Sequence, residues 1–137
     1  MDCGVDDRVS FVGPKFGAAK WELIRSCDVF AMASYSENFG IAALEAMACG
    51  RAVVVTQEVG LAKAVSGSRA GLVASGGPIA FASALCTLID DRDLRTSMGN
   101  RGAKLASETY SWAAIAAQME RVYEELKQSR STTARST

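Results

Sequence analysis

No histidine occurs anywhere in the 137 residues. That absence removes Ser-His-Asp and Cys-His nucleophile systems, histidine general bases and every histidine-containing metal site from what the chain could build alone. Four cysteines, Cys3, Cys27, Cys49 and Cys86, lie far apart and never form C-x-x-C. Buried, reduced thiols are therefore expected rather than a thiolate metal site or a redox dithiol. Neither sign of charge is in excess: fifteen Lys plus Arg offset fifteen Asp plus Glu, which leaves no basic field to gather nucleic acid or anionic lipid. No apolar run approaches the roughly 18 to 20 residues of a membrane span. The first residues, Met1-Asp2-Cys3-Gly4-Val5-Asp6-Asp7, are acidic where an export signal is basic and then apolar. The expectation is a cytoplasmic protein with no nucleic acid partner and no bilayer span.

What is present is an ordinary globular composition, 49% hydrophobic and 22% charged, enough for one domain with a core. Val9-Ser10-Phe11-Val12 alternates and stops at Gly13-Pro14, which predicts a strand feeding a loop. Residues 18–26 place Trp21, Leu23 and Ile24 between Lys20, Glu22 and Arg25, a helical stripe. Residues 28–33 then form an apolar run of strand length, expected to be covered on both faces. Residues 39–49, rich in Ala, Leu and Met and closed by Gly50, predict a second helix, and the β-branched run over 52–56 a further strand. A short helix over 61–66 and a short strand over 71–74 follow.

From there the period is helical. Phe81, Ala82, Leu85, Leu88 and Ile89 recur at three and four residues, with Pro78 suited to a first turn. A weaker helix contains Gly99 and Gly102. The last carries Trp112, Ile115, Met119, Val122, Tyr123 and Leu126 on one stripe, with Ser111 placed to cap it. Residues 128–137 are polar and predict a disordered tail. Strands alternating with helices imply an α/β fold around a parallel sheet.

The informative segment joins a strand end to a helix start, where an open α/β sheet binds ligands and free backbone N–H groups attract anions. Asn38, Phe39, Gly40 and Ile41 would present those amides to a phosphate. Glu45 has only Ile41, Ala42, Ala48 and Cys49 at helical spacing, so its hydrogen-bond donors must come from outside its own helix, the hydroxyls of a ribose being natural ones. Taken alone, Glu45 reads equally as a site residue or a structural one, and Glu37 reads first as a helix-capping carboxylate.

Glu37 and Glu45, seven residues apart within S-E-N-F-G-I-x-x-L-E-A-M-A-C-G and followed by a Val-rich strand, resemble the E-x7-E signature of the group 1 family of retaining GT-B glycosyltransferases. Residues 7–13, 24–30 and 110–112 are similar to the elements flanking that signature. The resemblance implies that residues 1–127 are part of the C-terminal, Rossmann-like donor lobe, a partial parallel sheet followed by C-terminal helices. Glu37 would be catalytic, steadying charge on the donor sugar. The amides of Asn38, Phe39, Gly40 and Ile41 would bind the diphosphate, and Glu45 would hold the ribose hydroxyls. Lys15 and Lys20 would lie near the nucleobase, although a solvated surface accounts for them as well. No metal and no resident cofactor are implied, the nucleotide sugar being a substrate. A basic pair at the phosphates and the acceptor groups belong to other parts of such enzymes, so this chain alone is expected to be inactive and to need a separate N-terminal lobe or to self-associate. Two departures stand out: Val59-Gly60 and Lys63 replace the usual Gly-Gly and Glu, which puts donor contacts from that loop in doubt, and Ala52 replaces a Pro. The alternative is a non-catalytic nucleotide-binding or interaction module that docks on a partner lobe.

Overall fold

The computed structural model describes residues 4–133. A 3-10 turn at Asp6–Arg8 precedes α1 (Gly17–Ser26), β1 (Val29–Met32), α2 (Ile41–Ala48), β2 (Ala52–Thr56), α3 (Ala62–Ser68), β3 (Gly71–Ala74), α4 (Pro78–Asp90), α5 (Arg92–Thr109) and α6 (Trp112–Thr133). The three strands form one parallel sheet in the order β1-β2-β3, with Phe30 opposite Val53 and Val54 opposite Leu72. Parallel strands need crossover connections, and here α2 and α3 supply them.

β2 is the axis of the fold. Ala52, Val53, Val54 and Val55 are all buried, because the central strand is covered on both faces. Val53 and Val55 face a core with Met47 and Ala43 of α2, Leu61, Val65 of α3 and Ile24 of α1. Val54 faces the other side, where Leu88 of α4 and Met98 of α5 close over it. Helix α5 continues unbroken through Gly99 and Gly102 because these glycines are its contact points: Gly99 lies against the Gly50 carbonyl and Gly102 against Met47. At the amino ends of the strands two arginines tie down helix C-termini, where carbonyls lack partners and negative charge gathers. Arg51 donates to the carbonyls of Cys27 (3.2 Å) and Cys49 (3.3 Å), and Arg95 to those of Leu88 (2.7 Å) and Ile89 (3.0 Å).

Several local expectations hold: Gly50 follows α2 in a left-handed conformation, Pro78 opens α4, and Ser111 Oγ accepts from the Ala114 amide at 3.2 Å at the start of α6. Others do not. Residues 9–12 form no strand, since they pair with no described strand and leave Phe11 98% exposed. β1 is an edge strand whose cover is only partial: Phe30 and Met32 pack against the core on one face and Val29 against that on the other, while Ala31 is exposed. The α6 stripe is not core, as Trp112 is 90% exposed and Met119, Val122, Tyr123 and Leu126 are also open to solvent. α6 runs through Thr133, past residue 128 where a tail was expected, and residues 134–137 lie outside the described ones. Cys86 is exposed and not buried, whereas Cys27 and Cys49 are half-buried and Cys3 lies outside the described residues. Burial pushes the Cys27 thiol above its ordinary pKa against the opposing pull of the Arg51 guanidinium.

The two kinds of helical glycine predict opposite responses. A Cβ on Gly99 would come closer than 3.0 Å to the Gly50 carbonyl, so Gly99→Ala is expected to destabilise by about 1 to 3 kcal/mol despite better helix propensity. Gly67 in α3 has open space around it, and Gly67→Ala should be neutral or stabilising by up to about 1 kcal/mol. Urea unfolding of the two variants beside the parent checks the contrast.

Candidate functional site

The carboxyl ends of β1 and β2 carry the signature segment, and two loops meet there. The loop from β1 to α2 is joined to the loop from β2 to α3 by backbone hydrogen bonds. Glu37 N–H donates to the Glu58 carbonyl (3.2 Å), Gly60 N–H to the Glu37 carbonyl (2.9 Å) and Leu61 N–H to the Phe39 carbonyl (2.9 Å). Glu37 and Val59 thereby form a parallel bridge outside the named strands. Thr56 adds a side-chain tie, its hydroxyl donating to the Ser34 carbonyl. Two glycines make this junction fit. Gly40 has φ +97°, and a Cβ there would sit 2.7 Å from Val59 Cγ1, while Gly60 lies directly against the Asn38 carbonyl.

Glu37 spans the mouth of α2. Its Oε1 accepts from the amides of Phe39 (3.3 Å) and Gly40 (3.2 Å), which occupies two of the four amides that the sequence offered to a phosphate. The amides of Asn38 and Ile41 have no partner among the described residues, and the first turn of α2 leaves further N–H groups open. The Phe39 side chain turns inward and meets the Tyr110 ring edge-on, 5.6 Å between centroids. Glu45 lies four residues beyond Ile41, about 6 Å along the helix axis. Its donor does come from outside α2, and it is Lys20: the ammonium lies 2.6 Å from Oε1, with side-chain exposures of 36% and 22% for the two residues. The same ammonium stands 4.6 Å from the centre of the Trp21 ring.

The structure thus gathers Glu37, Phe39, Gly40 and the α2 mouth, and pairs Glu45 with Lys20. Lys15 stands exposed with no partner among the described residues, and Lys63 is exposed on the first turn of α3. Thr56, Val59 and Gly60 shape the site from outside the signature segment. The signal was the Val59-Gly60 departure itself, where a buried side chain fills the space under Gly40. Beside the junction, on the α4 face, is a cleft of about 300 Å³ between Ser34, Thr56, Glu58, Phe81 and Leu85, which neither Glu37 nor Glu45 lines. Among the described residues no group of acidic, Cys or His side chains is arranged to hold a metal, and no helix is long and apolar enough to cross a membrane.

Residues 2–105 match the family described as glycosyl transferases group 1. The D-inositol 3-phosphate glycosyltransferase of Corynebacterium jeikeium is 40% identical over 126 residues, covering 91% of this chain and 30% of that protein. The enzyme of the same description from an Arthrobacter species is 42% identical over 115 residues, covering 83% and 27%. Among solved structures, sucrose-phosphate synthase from Thermosynechococcus elongatus superposes with a TM-score of 0.77 at 31% identity, over 92% of this chain and 32% of that one. HepE of Anabaena, solved with UDP and glucose, does so with a TM-score of 0.74 at 27% identity, over 89% and 33%. The chain therefore spans about 30% of the length of the curated relatives it matches.

The junction of the two loops gives a direct test. In Gly60→Ala the new Cβ would meet backbone atoms of Asn38 and Phe39, which cannot rotate away. The expected cost is about 1 to 3 kcal/mol, with faster hydrogen exchange at the Leu61 amide. Unchanged Leu61 protection would mean that this close approach does not hold the loops together.

Proposed function

The chain belongs to the group 1 glycosyl transferases, and from that membership we propose that it is the donor-binding portion of a retaining enzyme acting on a nucleoside diphosphate sugar. The observation that carries the proposal is the mouth of α2: open amides, a carboxylate across them, and Glu45 one turn further along the same helix. The diphosphate takes the amides between Asn38 and Ile41, displacing the Glu37 carboxylate from Phe39 and Gly40. Glu37 then turns to the sugar, where its charge offsets the positive charge developing at the anomeric carbon. Glu45 accepts hydrogen bonds from the ribose. The reading includes a cytoplasmic location and needs no resident metal or cofactor, the nucleotide sugar being the substrate. Transfer itself requires the basic and acceptor groups that, by family resemblance, other parts of such enzymes contribute, so these 137 residues bind the donor without turning it over.

Calorimetry with UDP, GDP and ADP separates the glutamates. Glu45→Gln removes a charged acceptor, typically about 1.5 to 3 kcal/mol, and should weaken nucleoside diphosphate binding roughly ten-fold or more. Glu37→Gln, which no longer competes as an anion for the amides, should leave affinity unchanged or higher. In an enzyme reconstituted with its acceptor lobe, Glu37→Gln should instead lower kcat. Equal binding losses from both variants would refute this division of roles.

The proposal extends to α6. Its open stripe of Trp112, Met119, Val122, Tyr123 and Leu126 is the surface offered to a separate N-terminal lobe or, without one, to self-association. Light scattering across a concentration series is expected to show a rising mass, abolished by Trp112→Glu with Met119→Glu. A mass independent of concentration would count against it.

A further inference from the structure

At the amino ends of the strands, away from the signature loops, is a second hollow of about 410 Å³. That volume lies in the range of roughly 300 to 1,000 Å³ usual for small-molecule clefts. Its charge is one-sided: Arg51, Arg92 and Arg95 line it against one carboxylate, Asp28, an excess of two positive charges. Arg51 is fixed by Nε on the Cys49 carbonyl and by Nη1 on the Cys27 carbonyl, and its Nη2 has no partner among the described residues. Arg95 is fixed by Nη1 on the carbonyls of Leu88 and Ile89, and its Nε is likewise without a partner there. The Arg95 Nη2 reaches Asp28 only at 3.5 Å, and that carboxylate is 82% exposed. Carbonyls hold these two groups in place without neutralising them.

Arg92 has no structural account. It is exposed in the first turn of α5, its guanidinium has no partner among the described residues, and a cation at that end opposes the helix dipole. The α5 terminus is itself served by Asp91, which accepts from the Leu94 amide at 2.8 Å, so the attraction of the hollow lies in its side chains. Asn100 lines the same side of α5 and adds an amide group without a partner among the described residues. Fixed, planar guanidinium forks suit a tetrahedral oxyanion, and a dianion matches the local excess of charge. We propose that this hollow is a second anion site, at the opposite end of the sheet from the α2 mouth, which binds the phosphoryl group of a small phosphate-bearing molecule. It stands independently of the nucleotide reading above.

The test is nuclear magnetic resonance of the isotope-labelled chain, titrated at constant ionic strength with inorganic phosphate, glycerol phosphate or acetate, at about pH 7.5 where a phosphate ester is dianionic. Saturable shifts are expected at Arg51, Thr96 and Asn100 with both phosphates, and about ten-fold weaker binding of acetate, a monoanion. Whichever phosphate binds tighter tells a free ion from an ester as the occupant. Arg92→Glu should weaken phosphate binding about ten-fold or more, while the urea midpoint is kept or raised because an anion then stands at a helix start. Asn100→Asp, which sets a carboxylate in the hollow, should weaken it about three-fold or more and carries the test if Arg92→Glu does not fold. Neither variant should alter the shifts that UDP, GDP or ADP cause at residues 38–41, so the two sites are read apart. Shifts that do not saturate, acetate binding as well as phosphate, or phosphate affinity unchanged in the folded variants would each overturn the proposal and leave the nucleotide reading untouched.

Discussion

The backbone junction between the loops that leave β1 and β2 governs the geometry of everything around it. Hydrogen bonds from Glu37, Gly60 and Leu61 extend strand-like pairing beyond the sheet, so the segment entering α2 cannot choose its own path. That path delivers Gly40 to the mouth of α2 with a positive φ, and it sets the Glu37 carboxylate across the amides that follow. Gly60 has to lack a side chain so that the chain can pass the Asn38 carbonyl, and Val59 fills the space that Gly40 leaves. A pattern that spans residues 36–50 is thus shaped by residues 56–61.

The two ends of the sheet are treated differently. At the amino ends, Arg51 and Arg95 satisfy carbonyls at the C-termini of α1, α2 and α4. Both guanidinium groups are engaged in holding the scaffold, and the hollow between them is bordered by the C-terminal end of α2 and by the first turn of α5. At the carboxyl ends the polarity is reversed, and N–H groups are left without internal partners.

Local chemistry made much of this legible beforehand. The β-branched run of β2, Gly50 after α2, Pro78 opening α4 and Ser111 capping α6 are each decided by neighbours within a few residues. The unforeseen features are those that depend on partners distant in sequence. Residues 9–12 have the alternation of a strand, but a strand also needs a neighbour to bond with. Lys20 is twenty-five residues from Glu45, and nothing in either local pattern announces the pair, although the lack of a donor on α2 correctly called for one from elsewhere. The α6 stripe has the periodicity of a buried face, yet periodicity reports that a face is apolar, not that something covers it.

Tyr110 follows α5 and rests edge-on against Phe39, and two residues later α6 begins. The long helix consequently starts next to the signature loop. The amide of that same Phe39 is one of those held by Glu37. The turn from which the exposed helix departs therefore rests on the residue whose backbone amide closes the α2 mouth.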